Sequence, residues 1–258
     1  MSKELLKISD LTIQIAESSK TLVNKVGFSI AENEIFGLVG GSGSGKTTTG
    51  LAILNLLSLG LHVSSGVIEF QGNNLLSMNA SQLRTIRGGK ISMVFQEPLY
   101  AFNPVFTIGY QIEEVLQTHC PMQKSLVKDH VLELLRMAGL KDPQRVFGSY
   151  PHQLSGGMRQ RAMIAQAIAG KPKLIIADEP TSNLDVTLQA RIMELFRQLQ
   201  REMSLSILLI SHDLGMISHL ADKIAVMTSG SIVEQGDVQH VFHEPKHEYT
   251  QKLVRAAK

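Results

Sequence analysis

A glycine-rich run followed by a lysine and three threonines carries the clearest chemical signal in this sequence. The run matches the pattern Gly-x4-Gly-Lys-Thr in full. The glycines let backbone N–H groups turn toward phosphate oxygens, the lysine reaches the β- and γ-phosphates, and the first threonine can ligate Mg²⁺. The sequence therefore predicts a loop that binds ATP with Mg²⁺, and Thr47 is the metal ligand within it. The candidate nucleotide-binding residues are Gly40, Gly41, Ser42, Gly43, Ser44, Gly45, Lys46, Thr47 and Thr48.

Two adjacent carboxylates end a short apolar segment further along the chain. Residues 174–177 read Leu-Ile-Ile-Ala, and Asp178 and Glu179 follow them. Asp178 is predicted to hold Mg²⁺ through water, and Glu179 is predicted to polarise the water that attacks the phosphate. Apolar strands that end in a solvated acidic turn are common. This pattern therefore indicates a catalytic site only in combination with the glycine-rich loop upstream.

Two more polar side chains stand where predicted strands end. Gln96 directly follows the strand predicted at residues 91–95, and Ser211 and His212 follow the strand predicted at 206–210. Gln96 suits a residue that senses both Mg²⁺ and the attacking water, and His212 suits one that reaches a γ-phosphate. A surface amide and a structural histidine are the alternative interpretations, and position rather than residue type selects these two.

A second cluster of small residues marks the start of another predicted helix. The segment at 154–161 reads Leu-Ser-Gly-Gly-Met-Arg-Gln-Arg, and its candidate residues are Ser155, Gly156 and Gly157. Such a helix start offers exposed N–H donors and a positive dipole end, whereas one nucleotide does not need two such sites in one domain. We therefore predict a head-to-tail pair of chains, in which this segment contacts the γ-phosphate on the partner's loop. An ordinary Ser-capped helix is the alternative.

Apolar strands that alternate with helices are predicted to carry these residues. Residues 5–15 and 22–30 mix alternation with β-forming side chains, which predicts an antiparallel pair. A strand at 35–39 enters the glycine-rich loop and a helix at 48–57 leaves it, which is the order that a phosphate site requires. The other predicted strands cover 67–70, 91–95, 174–177, 206–210 and 224–227. The other predicted helices cover most of 108–139, then 157–169 and 186–203, and the alternation indicates a buried parallel sheet.

The bulk composition narrows the classes of partner. The 25 basic and 23 acidic residues leave a net charge of +2, which gives no reason to expect nucleic acid as a partner. Cys120 is the only cysteine, so an internal disulfide is excluded and a reducing compartment is favoured. Charges interrupt the N-terminal segment, and the apolar runs are too short to cross a bilayer. We expect any membrane role to be exercised from outside the lipid.

In this order, the motifs resemble those of the ATP-binding-cassette (ABC) ATPase family over nearly the whole chain. Residues 40–47 correspond to Walker A, Gln96 to the Q-loop, 154–160 to the signature motif, 174–179 to Walker B, 182–185 to the D-loop and His212 to the switch histidine. By this resemblance Glu179 is the catalytic base, and Asp185 joins the nucleotide-binding residues. The implied α/β fold is a P-loop NTPase with a RecA-like core, an antiparallel β-subdomain and a helical subdomain. It forms a single domain over residues 1–258, with the helical subdomain inserted at approximately 97–165.

Three segments resemble those of peptide and nickel importer ATPases in particular. They are residues 96–104 (QEPLYAFNP), 149–154 (SYPHQL) and 244–250 (EPKHEYT). The resemblance implies that a second ABC ATPase subunit, a non-identical homologue, pairs with this chain beneath two membrane permease subunits. An extracytoplasmic substrate-binding protein would supply the cargo, with peptide expected before nickel. The implied location is peripheral, on the cytoplasmic face of the inner membrane.

Three positions depart from the family pattern. Asn183 stands in the D-loop where alanine is usual, and it adds a polar side chain near the expected dimer interface. The position near Ile15, where many relatives stack an aromatic ring on adenine, is aliphatic. The π-stacking contribution is therefore missing, and the choice between ATP and GTP is left open. The sequence ends at Lys258 without a cysteine-bearing extension, so no iron–sulfur cluster is expected.

Two other classes of protein share some of these motifs. ATPase subunits of soluble carbon–phosphorus lyase complexes, which degrade phosphonates, share every ATPase motif and have similar length. The importer-like Asn103-Pro104 ending of the segment at 96–104 favours transport over that alternative. An ATPase acting on DNA or the ribosome would need a coiled-coil insertion or a second cassette in tandem, and the sequence has neither.

Overall fold

The computed structural model describes residues 3–182 and 184–257. The chain divides into two compact units, of which the first comprises Met1–Leu83 with Ser206–Lys258 and the second comprises Arg84–Leu205. The strands are β1 (Glu4–Ile15), β2 (Thr21–Ala31), β3 (Ile35–Val39), β4 (Leu61–Phe70), β5 (Asn73–Asn74), β6 (Ile91–Val94), β7 (Leu174–Asp178), β8 (Ser206–Ser211), β9 (Lys223–Thr228) and β10 (Ser231–Asp237). The helices are α1 (Lys46–Ile53), α2 (Ala80–Ile86), α3 (Pro98–Ala101), α4 (Ile108–His119), α5 (Lys124–Met137), α6 (Pro143–Gly148), α7 (Gly156–Ala169), α8 (Val186–Met203), α9 (Leu214–Ser218), α10 (Val238–His243) and α11 (Glu248–Ala257).

The first unit contains an antiparallel sheet in the strand order β2-β1-β4-β5. Strand β1 pairs with β2 on one side and β4 on the other, so that Ile8 lies opposite Phe28 and Ile68. These three side chains are buried, as expected where cross-strand apolar pairs stabilise a sheet. The antiparallel pair predicted for residues 5–15 and 22–30 is confirmed.

Parallel strands in the same unit lead to the glycine-rich loop. Strand β3 lies between β8 and β9 and runs parallel to both, while β10 is antiparallel to β9. Every residue of β3 and β8 is buried, which explains why their sequences are almost continuously apolar. Because the strands are parallel, the carboxyl ends of β3 and β8 meet at one edge, where Val39 pairs with Ser211.

The second unit combines a parallel strand pair with packed helices. Strands β6 and β7 pair from Ile91 and Leu174 to Val94 and Ala177. Helix α4 contacts α5, α6 and α7, and its buried Ile108, Ile112 and Leu116 lie at the four-residue spacing of one helix face. The prediction that the middle of the chain is mostly helical is confirmed.

Several predicted boundaries were wrong. Helix α1 covers Lys46–Ile53 rather than 48–57, because the chain leaves the helix at Leu54 and Asn55 takes a left-handed backbone with φ 51°. The helix predicted across 108–139 is two helices, α4 and α5. Strand β4 begins at Leu61 rather than near Val67, since exposed polar residues in its first half hide the pattern. Strand β10 and helices α9 to α11 were not predicted. No helix within residues 3–182 and 184–257 is long and apolar enough to cross a membrane.

Candidate nucleotide-binding and hydrolysis site

The glycine-rich loop is the turn between β3 and α1, and two of its positions accept only glycine. A Cβ on Gly40 would lie 2.0 Å from the carbonyl oxygen of Met227 in β9. Gly45 precedes α1 with φ 100°, a backbone conformation that side chains rarely adopt. The close packing of Gly40 and the left-handed turn at Gly45 therefore fix the course of the loop between the strand and the helix.

Lys46 is folded back over this loop. Its side chain is buried, and Nζ donates hydrogen bonds of 2.8 Å to the carbonyl oxygens of Gly40 and Gly41. Among the described residues no side chain caps the N-terminus of α1, so the positive end of the helix is directed at the loop. An ammonium group held against a loop that ends in a helix N-terminus is a donor set suited to phosphate oxygens. The residues present therefore fit the triphosphate of a nucleotide.

His212 lies next to this loop within the first unit. The N–H of Gly40 donates to the carbonyl oxygen of Ser211 at 3.4 Å, and His212 is the following residue. Its side chain is exposed, while the neighbouring Asp213 caps α9 by accepting the N–H of Met216 at 2.9 Å. The structure thus brings His212 and the phosphate loop together at the edge where β3 and β8 end.

Three other candidate residues meet at one edge of the second unit. Asp178 is the last residue of β7 and is buried, and Glu179 follows with a left-handed φ of 44°. Gln96 lies two residues beyond the end of β6, with its side chain exposed. Because β6 and β7 run parallel, the structure places all three at the carboxyl edge of this strand pair. Carboxylate and amide oxygens are the ligands that Mg²⁺ prefers, so this donor set fits the metal.

The second cluster of small residues stands at an exposed helix start, as predicted. Ser155 caps α7, its hydroxyl accepting the N–H of Met158 at 3.4 Å. A Cβ on Gly156 would have no neighbour within 4 Å among the described residues, whereas Leu154, two positions earlier, is buried and anchors the segment. This end of α7 is open to a ligand or to another chain.

The D-loop residue Asp185 has a structural partner. Its Oδ1 accepts the N–H of Leu188 at 2.9 Å and caps α8. A contact of Asp185 with nucleotide remains a prediction. Asn183, the departure from the family pattern in this loop, lies outside the described residues.

A cavity of about 160 Å³ lies beside Gln96 in the second unit, and sequence reasoning did not anticipate it. Its lining includes Gln96, Pro98, Gly156, Arg159, Gln160, Pro180 and Ser182. In the described part of the chain, Nε2 of Gln160 and the hydroxyl of Ser182 are buried without a hydrogen-bond partner. A polar cavity of this size is large enough to accommodate ordered water, which would satisfy such groups. Gln160 lies in the signature segment but was not predicted as a site residue, because in the sequence it is one more polar residue on a helix.

Tyr249 is a second residue that sequence reasoning missed. It lies on α11, far from the loop in sequence, and its Oη accepts the backbone N–H of Gly41 at 2.8 Å. The segment at 244–250 signalled only a resemblance to importer ATPases, because no motif in it points to phosphate chemistry.

The strand–loop–helix arrangement and its lysine define a P-loop ATPase of the α/β class. A model of the ABC transporter family matches residues 23–182. The chain belongs to this family and is an ATP-hydrolysing enzyme that uses ATP together with Mg²⁺.

Named relatives match over nearly the whole chain. The dipeptide transport ATP-binding protein DppD of Haemophilus influenzae is 44% identical over 254 residues, which cover 98% of this chain and 77% of that protein. The protein of the same name from Escherichia coli is 42% identical, with 98% of this chain and 78% of that protein covered. A peptide import ATP-binding protein of Brucella abortus is 46% identical, with 98% and 76% covered.

Solved structures confirm the fold. An ATP-binding cassette in a dimeric post-hydrolysis state, bound to ADP and Pi, is 28% identical with a TM-score of 0.80. That match covers 91% of this chain and 99% of the other. A cassette from Clostridium perfringens, part of an ABC transporter complex, is 24% identical with a TM-score of 0.81 and covers 94% and 92% of the two chains. The predicted P-loop NTPase fold is confirmed.

Proposed function

We propose that this chain is the ATP-hydrolysing subunit of an ABC importer for peptides. The observation that carries the proposal is the identity of 42 to 46% to dipeptide and peptide import ATP-binding proteins over 98% of the chain. Those relatives give no specific support to nickel as cargo or to a role in phosphonate degradation. Both are outcomes of the test below.

The proposed roles of the site residues follow from their chemistry. Lys46 and backbone N–H groups of the loop at 40–48 hold the phosphates, and Thr47, Gln96 and Asp178 hold Mg²⁺. Gly40 and Gly41 shape this loop, since their own N–H groups donate to Ser211 and Tyr249. The metal, when bound, neutralises phosphate charge and orients the transferred group. Glu179 takes a proton from the attacking water, whereas His212 and Gln96 orient the γ-phosphate and that water.

We further propose that each active site is shared between two ATPase chains. The loop at 40–47 and the exposed start of α7 are both donor-rich helix N-termini, and both Ser155 and Gly156 are exposed. A head-to-tail pair would let the Ser155 to Gly157 segment, together with Asp185, cover nucleotide on the partner's loop. ATP binding then closes the pair and hydrolysis reopens it. Residues 1–258 act as one ABC ATPase domain in this proposal, with the helical subdomain at approximately 97–165.

An exposed apolar surface in the second unit supports a membrane-protein partner. This docking surface comprises Leu99, Tyr100, Val105, Phe106 and Tyr110, which are 43%, 86%, 68%, 41% and 48% exposed. The rings of Phe106 and Tyr110 stack 4.8 Å apart, so part of the surface is preformed. Contiguous exposed apolar groups mark interaction sites. We propose that a helix of one permease subunit binds here from the membrane, and that a substrate-binding protein delivers peptide on the opposite side.

Replacing Tyr100 with glutamate is expected to uncouple transport from hydrolysis. The variant places a charge on the docking surface, which costs binding free energy because the carboxylate must be desolvated against apolar groups. Peptide uptake by cells is expected to fall at least about tenfold, the equivalent of roughly 1.4 kcal/mol of binding. ATP turnover by the isolated subunit is expected to stay within about twofold of wild type. Uptake assays and purified ATPase assays measure the two effects.

The matched control is Leu59→Glu. Leu59 is fully exposed in the first unit, on a loop between α1 and β4, and it does not belong to the docking surface. Uptake is expected to be unchanged in this variant. Normal uptake with Tyr100→Glu, or an equal loss with Leu59→Glu, would contradict the proposed docking surface.

The function itself is tested by deleting the gene and measuring uptake. Loss of labelled di- and oligopeptide uptake, restored by the wild-type gene and not by Glu179→Gln, is the expected result. Loss of nickel uptake with normal peptide uptake would show that nickel, and not peptide, is the transported substrate. Normal uptake of both, with loss of growth on a phosphonate as phosphorus source, would replace the proposal with the lyase-complex alternative.

A further inference from the structure

The backbone of Gly41, in the phosphate loop, is held from two sides. Its N–H donates to Oη of Tyr249 at 2.8 Å, and its carbonyl oxygen accepts from Nζ of Lys46 at 2.8 Å. A Cβ at this position would lie 3.0 Å from the tyrosine oxygen, so the contact is close. The N–H of Gly41 therefore has a protein acceptor, unlike a loop N–H that is left to bind phosphate. The Tyr249 contact fixes the first half of the loop.

Tyr249 is itself fixed by the segment that precedes α11. The two carboxylate oxygens of Glu234, on β10, accept the N–H groups of Lys246 and His247 at 2.9 Å each. Burial acts to raise the pKa of Glu234, but the two backbone hydrogen bonds, together with smaller effects of the neighbouring Thr250 and His247 side chains, hold the pKa below its usual value. The Nδ1 atom of His247 then accepts the N–H of Tyr249 at 3.1 Å. A carboxylate on β10 thus sets the position from which the tyrosine reaches the loop.

The hydroxyl of Tyr249 is not required to attach α11 to the first unit. The helix buries Thr250 and Val254, and it contacts α9. The side chain of Gln251 also ties the helix to the carbonyl oxygen of Pro245 at 3.1 Å. Tyr249 is only partly buried. Because these other contacts hold α11 in place, removal of the Tyr249 hydroxyl is expected to alter the order of the phosphate loop rather than the position of the helix.

We propose that Tyr249 is a positioning residue for the phosphate loop. Its hydroxyl holds the N–H of Gly41 so that the loop is preorganised for the triphosphate, and Glu234 sets the position of Tyr249. The proposal rests on the assignment of residues 40–48 as the ATP site. It links ATP affinity to the C-terminal helix, which lies outside the ATPase motifs.

Tyr249→Phe, which keeps the ring and removes the hydroxyl, tests the proposal. Loss of one hydrogen bond that orders the loop is expected to weaken ATP binding about three- to tenfold. The KM for ATP is expected to rise by the same factor while kcat changes less than about twofold, because groups at the reacting phosphate are untouched. The melting temperature without nucleotide is expected to be unchanged, whereas its increase on adding ATP shrinks. Nucleotide titration, steady-state kinetics and thermal unfolding of the full chain measure these.

The matched control on the same helix is Lys252→Ala. Lys252 forms an exposed ion pair with Glu248 at 2.7 Å, one turn away from the loop contact. This variant is expected to bind ATP as the wild type does. Wild-type ATP affinity in Tyr249→Phe, or a fall in melting temperature with no change in KM, would make the tyrosine structural only and overturn the proposal.

A double-mutant cycle that combines Glu234→Gln with Tyr249→Phe tests whether Glu234 fixes the position of Tyr249. Alone, Glu234→Gln is expected to weaken ATP binding about two- to threefold. The amide has a single oxygen and can replace only one of the two acceptors, so its NH2 group would face the other N–H donor. In the Tyr249→Phe background it is expected to have no further effect. Additive losses would overturn the link between Glu234 and Tyr249.

Lys46→Ala distinguishes failure of the ATP-site assignment from failure of the Tyr249 proposal. Unchanged ATP binding in Lys46→Ala would contradict the assignment of residues 40–48 as the ATP site. Weaker ATP binding in Lys46→Ala, with wild-type binding in Tyr249→Phe, would overturn only the role of Tyr249.

Discussion

Replacing Glu179 with glutamine is expected to lower ATP turnover about 10²- to 10⁴-fold while ATP binding persists. The amide keeps the size of the side chain but cannot accept a proton from the attacking water. Glu179 follows the buried Asp178 directly, on a backbone with φ 44°, so its direction is set by the end of β7. Steady-state phosphate release and nucleotide titration separate the loss of turnover from any loss of binding.

The same variant tests whether the active site is shared. If hydrolysis reopens a closed pair of chains, Glu179→Gln with ATP is expected to accumulate as a dimer in size-exclusion chromatography. The matched control is Glu194→Gln, an exposed glutamate on α8 in the same unit. This control is expected to turn over ATP normally and to show the same oligomeric state as the wild type in the presence of ATP. Undiminished turnover in Glu179→Gln would rule out Glu179 as the base.

Replacing Lys46 with alanine is expected to weaken ATP binding about 10- to 100-fold. A charge-assisted hydrogen bond contributes roughly 1.5 to 3 kcal/mol, and the variant loses the ammonium that faces the phosphates. It also loses the hydrogen bonds to the carbonyl oxygens of Gly40 and Gly41, so the loop is less ordered before ATP arrives. Equilibrium titration with a fluorescent ATP analogue measures the effect.

A second variant, Lys46→Met, keeps the length of the side chain and so removes the charge with less disturbance of packing. It is expected to bind ATP as weakly as Lys46→Ala, with near wild-type thermal stability in the absence of nucleotide. Lys20→Ala is the control, since Lys20 is exposed in the turn between β1 and β2. Wild-type affinity in both Lys46 variants would contradict the assignment of the phosphate loop.

The sequence was most informative where one local pattern implies one geometry. Strand β3 and helix α8 were predicted with their observed bounds, Ile35–Val39 and Val186–Met203, because a buried parallel strand and a strongly amphipathic helix each have a distinct period. The loop between β3 and α1 followed from its glycines and lysine. The place of Gln96, Asp178 and Glu179 at the ends of strands was predicted in the same way, since a polar residue after an apolar strand marks the edge where parallel strands end. Their roles in hydrolysis stay predictions.

Other features depend on contacts that residue types do not encode. Tyr249 reaches Gly41 across 208 positions of sequence, through one hydroxyl on a helix that was not predicted. Strand β10 was missed because its exposed polar residues lack the alternation of a half-buried strand. The amide nitrogen of Gln160, which has no hydrogen-bond partner among the described residues, can be recognised only once the cavity around it is known. Such features arise from tertiary packing, which overrides local propensity.

The docking surface also bears on how the cell handles this subunit. A chain made in excess of its permease would carry exposed tyrosine, phenylalanine and valine side chains that nothing covers. Uncovered apolar groups of this kind are what chaperones and proteases bind, and they promote aggregation. Assembly with the permease would therefore also determine how long each subunit survives in the cell. Under the proposed function, subunits that find a membrane partner persist, and the surplus is degraded, which keeps the stoichiometry of the complex balanced without separate regulation.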